Sequence, residues 1–215
     1  MRIRSFIIAY ALLLAILLFA DRRPNPEQQN RYSHIVDLTV AENTTQKRLP
    51  PSSRTQIIAP DALIPGTWTA GQLPPERLIA PLVVMDLNVA PPAQISLDDV
   101  ASWETAHGAI PPGAVVAIRN RNATSTAAAA PLPINDDAAQ FLMDARYTLG
   151  FAVESGANVK ADRALARQLA LHGDFVVEQT ARLSTIPATG SLIIVAPTKD
   201  KNTGTAPVRV LAMVR

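Results

Sequence analysis

Three histidines, His34, His107 and His172, are the only imidazoles in the 215-residue chain, and cysteine is absent. A metal centre would need several imidazoles and carboxylates at ligand spacing, and neither H-x-x-x-H nor H-E-x-x-H occurs. His34 sits in an apolar β-branched run, His107 precedes a glycine in AHGAIPPG, and His172 precedes Gly173. Each reads as a surface or element-terminal histidine. Lack of thiols excludes disulfides, thiolate zinc sites, iron–sulfur clusters and a cysteine nucleophile. Without G-x-S-x-G or a glycine-rich phosphate loop, a nucleophile-elbow hydrolase and a nucleotide enzyme lack support. Glu154, Asp162 and Glu178 are the acids that could form a carboxylate cluster, but solvated helix faces and loop ends account for them more simply.

The elements that would position such groups are legible from pattern. Hydrophobic residues make up 48% and charged residues 18%, enough apolar material for the core of one domain with a short accessory segment. Lys and Arg number 20 against 18 Asp and Glu; removing residues 1–20, with two arginines and no acid, leaves 18 against 18. A neutral body is a poor nucleic-acid binder, since phosphate contacts need a basic surface. Apolar, β-branched runs at His34–Val40, Leu82–Leu87, Val115–Ile118, Leu192–Ala196 and Val208–Val214 predict strands. Ser96 and Asn135, each followed by acids and then by spaced apolar residues, predict helix starts. A third helix is expected near Lys160–His172, with Leu165 and Leu169 four apart and Gly173 ending it. Several strands precede the first helix, so the class is α/β without a simple doubly wound sheet. Ala123–Pro133 reads as a surface loop.

Six segments in this order resemble the cyclase family that includes bacterial kynurenine formamidase and isatin hydrolase: IVDLT at Ile35–Thr39, PGT at Pro65–Thr67, LPPERLIAPLVVMDLN at Leu73–Asn88, WETAHGAIPPGAVVAIRN at Trp103–Asn120, DAAQFL at Asp137–Leu142 and TGTAPVRVLAMV at Thr203–Val214. The resemblance implies a swivelling β/β/α fold with a central β-barrel over residues 34–215. It also implies a divalent metal held by H-x-G-T-H-x-D-x-P-x-H, acidifying a water for attack on an amide or lactam carbonyl. Aligned on Gly66-Thr67, this chain departs from that motif. Ile64 stands at the first His, Trp68 at the second, Ala70 at the Asp, Gln72 at the Pro and Pro74 at the last His. The family's later His falls on Ala166, and of the ligand set only the Glu twelve positions on is kept, as Glu178. One ligand of five cannot hold a metal, so neither metal nor cofactor is expected, and the chain reads as a pseudoenzyme. Trp68 is expected either to fill the vacated site with apolar bulk or to be an ordinary core aromatic.

The N-terminus carries Arg2 and Arg4 before an apolar run, Phe6–Ala20, closed by Asp21-Arg22-Arg23. At about 1.5 Å per residue the run is short of a ~30 Å hydrocarbon core unless snorkelling arginines extend it. Cleaved signal peptide and retained anchor both fit, and bulky Leu18 at a would-be cleavage site favours the anchor. Residues 1–20 thus read as a single-pass inner-membrane helix, residues 21–33 as a polar tether, and the charge balance favours an extracytoplasmic or periplasmic body. Ala11 and Ala15 share a face on which a neighbouring helix could pack closely. The expected role is a non-catalytic accessory subunit of a larger membrane complex, respiratory or photosynthetic complexes being candidate hosts. Its expected contacts are the lipid bilayer and membrane subunits through Ala11, Ala15, Arg22 and Arg23. The resemblance leaves a homo-oligomer open. The alternatives are a metal-independent hydrolase using Glu178, and an exported binder of small aromatic ligands with Trp68 as a stacking wall.

Overall fold

A computed structural model describes residues 32–40, 54–87, 94–120, 132–154 and 158–215. Residues His34–Arg215 form one compact unit. Among the described residues, eight strands run in chain order: β1 (His34–Asp37), β2 (Gln56–Ile58), β3 (Ile79–Leu87), β4 (Val115–Asn120), β5 (Gly150–Val153), β6 (Phe175–Glu178), β7 (Ser191–Pro197) and β8 (Thr205–Val214). Their order in the sheet is β1-β8-β2-β6-β5-β4-β3-β7, and β7 also pairs with β8. Among the described residues, β2 to β8 therefore close into a seven-stranded barrel. The ten-residue β8 is long enough to pair β2 through Thr205–Pro207 and β1 through Leu211–Val214.

Strands β3, β4, β5 and β6 are mutually parallel and joined by helices α1 (Leu97–His107), α2 (Asp136–Arg146) and α3 (Arg163–His172). Parallel strands under such crossovers are covered on both faces, which explains their unbroken apolar runs. Val116, Ile118, Phe151, Val153 and Val176 point outward under the helices, packed with Val100, Leu142, Leu165 and Leu169. Val115, Ala117, Ala152, Phe175 and Val177 point inward, meeting Ile193, Val195, Val208 and Val210 in the barrel. The antiparallel β8 instead alternates, with Ala206, Val208, Val210, Ala212 and Val214 buried.

The helix starts follow the sequence reading. Ser96 Oγ accepts the Asp99 N–H while Asp99 accepts the Ser96 N–H at 2.8 Å, a reciprocal cap. Asn135 Oδ1 accepts from Ala138 N at 2.9 Å, Asp162 Oδ1 accepts from Ala164 and Leu165, and Gly173 ends α3 with a left-handed φ of 74°. Strands β2, β5 and β6, of three or four residues, were not expected; they are too short for alternation to show and are stabilised by burial on both sides. The run from His34 pairs as a strand only to Asp37. Most of the Ala123–Pro133 loop, and residues 1–20 with nearly all of the 21–33 tether, lie outside the described residues. Among the described residues no helix is long and apolar enough to cross a membrane.

Candidate functional site

The segment that departs from the family's metal motif follows β2. Pro60, whose fixed φ suits a helix start, opens one helical turn, Pro60–Leu63, closed by the Ile64 N–H on the Pro60 carbonyl at 2.9 Å. Asp61 then folds the loop back: its Oδ1 accepts the Gly66 N–H at 2.9 Å and its own N–H donates to the Trp68 carbonyl at 3.0 Å. Gln72 Oε1 accepts the Thr69 N–H at 3.1 Å. Ala70 N donates to Thr203 O at 3.1 Å and Gly71 N to Asp200 O at 2.9 Å, tying the segment to the β7–β8 connection. Any Cβ at position 71 would lie 2.5 Å from the Asp200 carbonyl oxygen, so only glycine allows this approach.

The motif positions fall in different surroundings. Ile64 and Pro74 are partly buried, and Ala70 is 1% exposed in the barrel interior. Ala166 is buried on α3 in the other core, beneath the helices. Glu178 is buried on β6 opposite Gln56, whose Nε2 donates to its carboxylate. Side chains of Ile, Trp, Ala and Pro offer no donor to a divalent cation, so the residues present do not fit the family's metal. Among the described residues no group of three or more His, Asp and Glu side chains could hold one. Glu154, Asp162 and Glu178 are also separately engaged: Glu154 accepts from the Leu183 N–H at 3.1 Å, Asp162 caps α3 and Glu178 binds Gln56.

Trp68 departs from both expectations. It is 41% exposed, neither plug nor core residue, and lines an open cleft of about 600 Å³ with Asp61, Thr67, Gln72, Leu171, His172 and Lys201. Its ring rests on Gly173, where an added Cβ would lie 2.8 Å from the indole Cζ3. The Arg77 guanidinium stands 5.7 Å from the indole centroid, within cation–π range. Behind it, Arg77 Nη2 donates to Asp174 Oδ1 at 2.8 Å, and Thr148 Oγ1 donates to Asp174 Oδ2 at 3.4 Å. Burial pushes the Asp174 carboxyl up to about 7, outweighing the opposing attraction of Arg77 and the hydrogen bond from Thr148. His172 is, as read, the exposed last residue of α3, and its Nε2 lies 3.3 Å from Asp144 on α2. Sequence reasoning found Trp68, His172 and Gly173 but missed Arg77 and Asp174. The available signal was an aspartate directly before the wholly apolar FVV of β6.

The comparisons agree with this architecture. The model of the cyclase family, described as "Putative cyclase", matches residues 20–157. The isatin hydrolase of Roseibium aggregatum is 28% identical over 162 residues, covering 65% of this chain and 61% of that protein's length. Isatin hydrolase A from Ralstonia solanacearum superposes with a TM-score of 0.70 at 22% identity, covering 96% of this chain and 97% of that one. Isatin hydrolase A from Labrenzia aggregata, solved bound to benzyl benzoate, gives 0.68 at 24%, covering 96% and 99%. With the barrel and its three crossover helices in place and the family model matching more than half of its length, the chain belongs to the cyclase family.

Proposed function

We propose that this cyclase-family chain is a non-catalytic, membrane-anchored protein that acts by contact, as a structural or accessory subunit of a membrane complex with its body on the extracytoplasmic side. The observation that carries the loss of catalysis is the donor chemistry: Ile64, Trp68, Ala70, Pro74 and Ala166 occupy metal-motif positions, and Glu178 is engaged by Gln56.

A second feature supports an interaction role. On the outward face of β1, β8, β7 and the start of β3, the register aligns Ile35, Met213, Leu192 and Pro81 in one row and Asp37, Leu211, Ile194 and Ile79 in the next. Seven of these eight residues are apolar, with Ile35 62% and Ile79 58% exposed. Contiguous apolar surface of this kind marks interaction sites. Its first strand, β1, directly follows the 21–33 tether in the chain.

The experiment is gentle purification of the full chain from native membranes, in parallel with a variant carrying Ile79→Lys and Ile194→Lys. Membrane proteins should co-purify in fixed ratio with the unaltered chain and be lost from the variant. Recovery of the chain alone, or in the soluble fraction, would overturn the reading. The cleft beside Trp68 favours a second reading, an exported binder of small aromatic ligands stacked on the indole. Likeness to isatin hydrolases also supports a hydrolase reading, and turnover of an amide or lactam lost in Glu178→Gln would establish it.

A further inference from the structure

The cleft, the indole on its wall and the buried ion pair behind it form one mechanical unit. Trp68 is held from two sides, by the Gly173 backbone and by the Arg77 guanidinium. Among the described residues, Arg77 hydrogen-bonds through a single nitrogen, Nη2, which reaches both Asp174 at 2.8 Å and the His172 carbonyl at 3.5 Å, while its buried Nε finds no partner there. Asp174 is fixed in place: its N–H donates to the Leu169 carbonyl at 2.8 Å and its side chain is 1% exposed. Arg77, by contrast, is 19% exposed and can swing toward water.

We infer that Asp174, Arg77 and Trp68 are a proton-operated latch on the cleft wall: protonation of Asp174 releases Arg77, and the indole loses its support and loosens. The inference does not depend on the accessory-subunit reading. A neutral carboxyl no longer balances a guanidinium that is four-fifths buried, so Arg77 regains solvation by turning outward. The transition falls near neutral pH because burial places the Asp174 carboxyl at about 7. Arg77, from the turn Pro75–Arg77, is the charged side chain acting on Asp174, and Thr148, ahead of β5, supplies a neutral hydroxyl. The end of α3 presents main-chain carbonyls to this unit, and the His172 ring is engaged toward Asp144. Lys201 and Asp61 line the cleft mouth.

The test uses the full chain in detergent, following the indole N–H resonances of Trp68 and Trp103, assigned with Trp68→Phe, together with acrylamide quenching. The Trp68 resonance should titrate with a midpoint near 7, and its quenching should rise by roughly twofold on acidification as the ring loosens. Asp174→Asn should show the loosened state at all pH values, while His172→Gln should keep the titration. If Asp174→Asn does not fold, Arg77→Met should likewise abolish the Trp68 titration. A Trp68 signal that is flat across neutral pH in folded protein overturns the latch. So does a titration that survives Asp174→Asn and disappears in His172→Gln, which would make His172 the sensor.

Discussion

Trp68 and Gly173 touch so closely that one methyl group at position 173 would reach within 2.8 Å of the indole Cζ3. The glycine does two jobs there, ending α3 at φ 74° and giving the ring a flat bed. Gly173→Ala should therefore combine left-handed strain of about 1–2 kcal/mol with displacement of the indole. Chemical denaturation should show the loss, and a shift in Trp68 emission should accompany it; unchanged emission would contradict the packing described.

Asp174 makes stability depend on pH in an unusual direction for a carboxylate. Its folded value, about 7, lies above the unfolded value of 3.8, so the folded state binds the extra proton between these limits. Stability is then fully present below pH 4, falls as pH rises toward 7 and is level above it, by about 4 kcal/mol at most from this group. Asp174→Asn should flatten that slope in urea titrations taken at successive pH values.

Glu104 on α1 runs the opposite way. Arg146 on α2 donates to its two oxygens at 2.7 and 2.8 Å, and the Ile110 N–H adds a bond at 2.9 Å. The hydrogen bonds from Arg146 hold its carboxyl below the usual 4.5, against a smaller opposing effect of burial. The contribution is thus present above pH 4.5 and lost as pH falls through the lowered value. Glu104→Gln should destabilise by about 1–2 kcal/mol at neutral pH, and the gap between the two proteins should narrow in acid.

Metal should neither co-purify in stoichiometric amount nor stabilise the fold. A native site raises the melting temperature with free metal concentration, so calorimetry with excess zinc or manganese is a sensitive check. A concentration-dependent rise, or one tightly bound ion per chain by elemental analysis, would reinstate the catalytic reading.

What the sequence determined by itself was local or strictly patterned. Ser96 and Asn135 cap helices through atoms no more than three residues away, and β8 alternates over its whole length, so both leave a trace in a short window. The six collinear segments carried the family, and the identities at Ile64, Trp68, Ala70, Pro74 and Ala166 carried the absence of metal donors without any coordinates. Tertiary structure alone decided the rest. Strands β2, β5 and β6 owe their pairing to neighbours on both sides, which no three- or four-residue window contains. Arg77 and Asp174 are 97 positions apart, and their ion pair exists because the turn after the motif segment crosses the end of α3. The apolar outer face joins Ile35, Ile79, Ile194 and Met213 only through barrel closure. In each case the energy comes from burial or charge pairing between segments remote in the chain, and such terms take effect only once the barrel has brought them together.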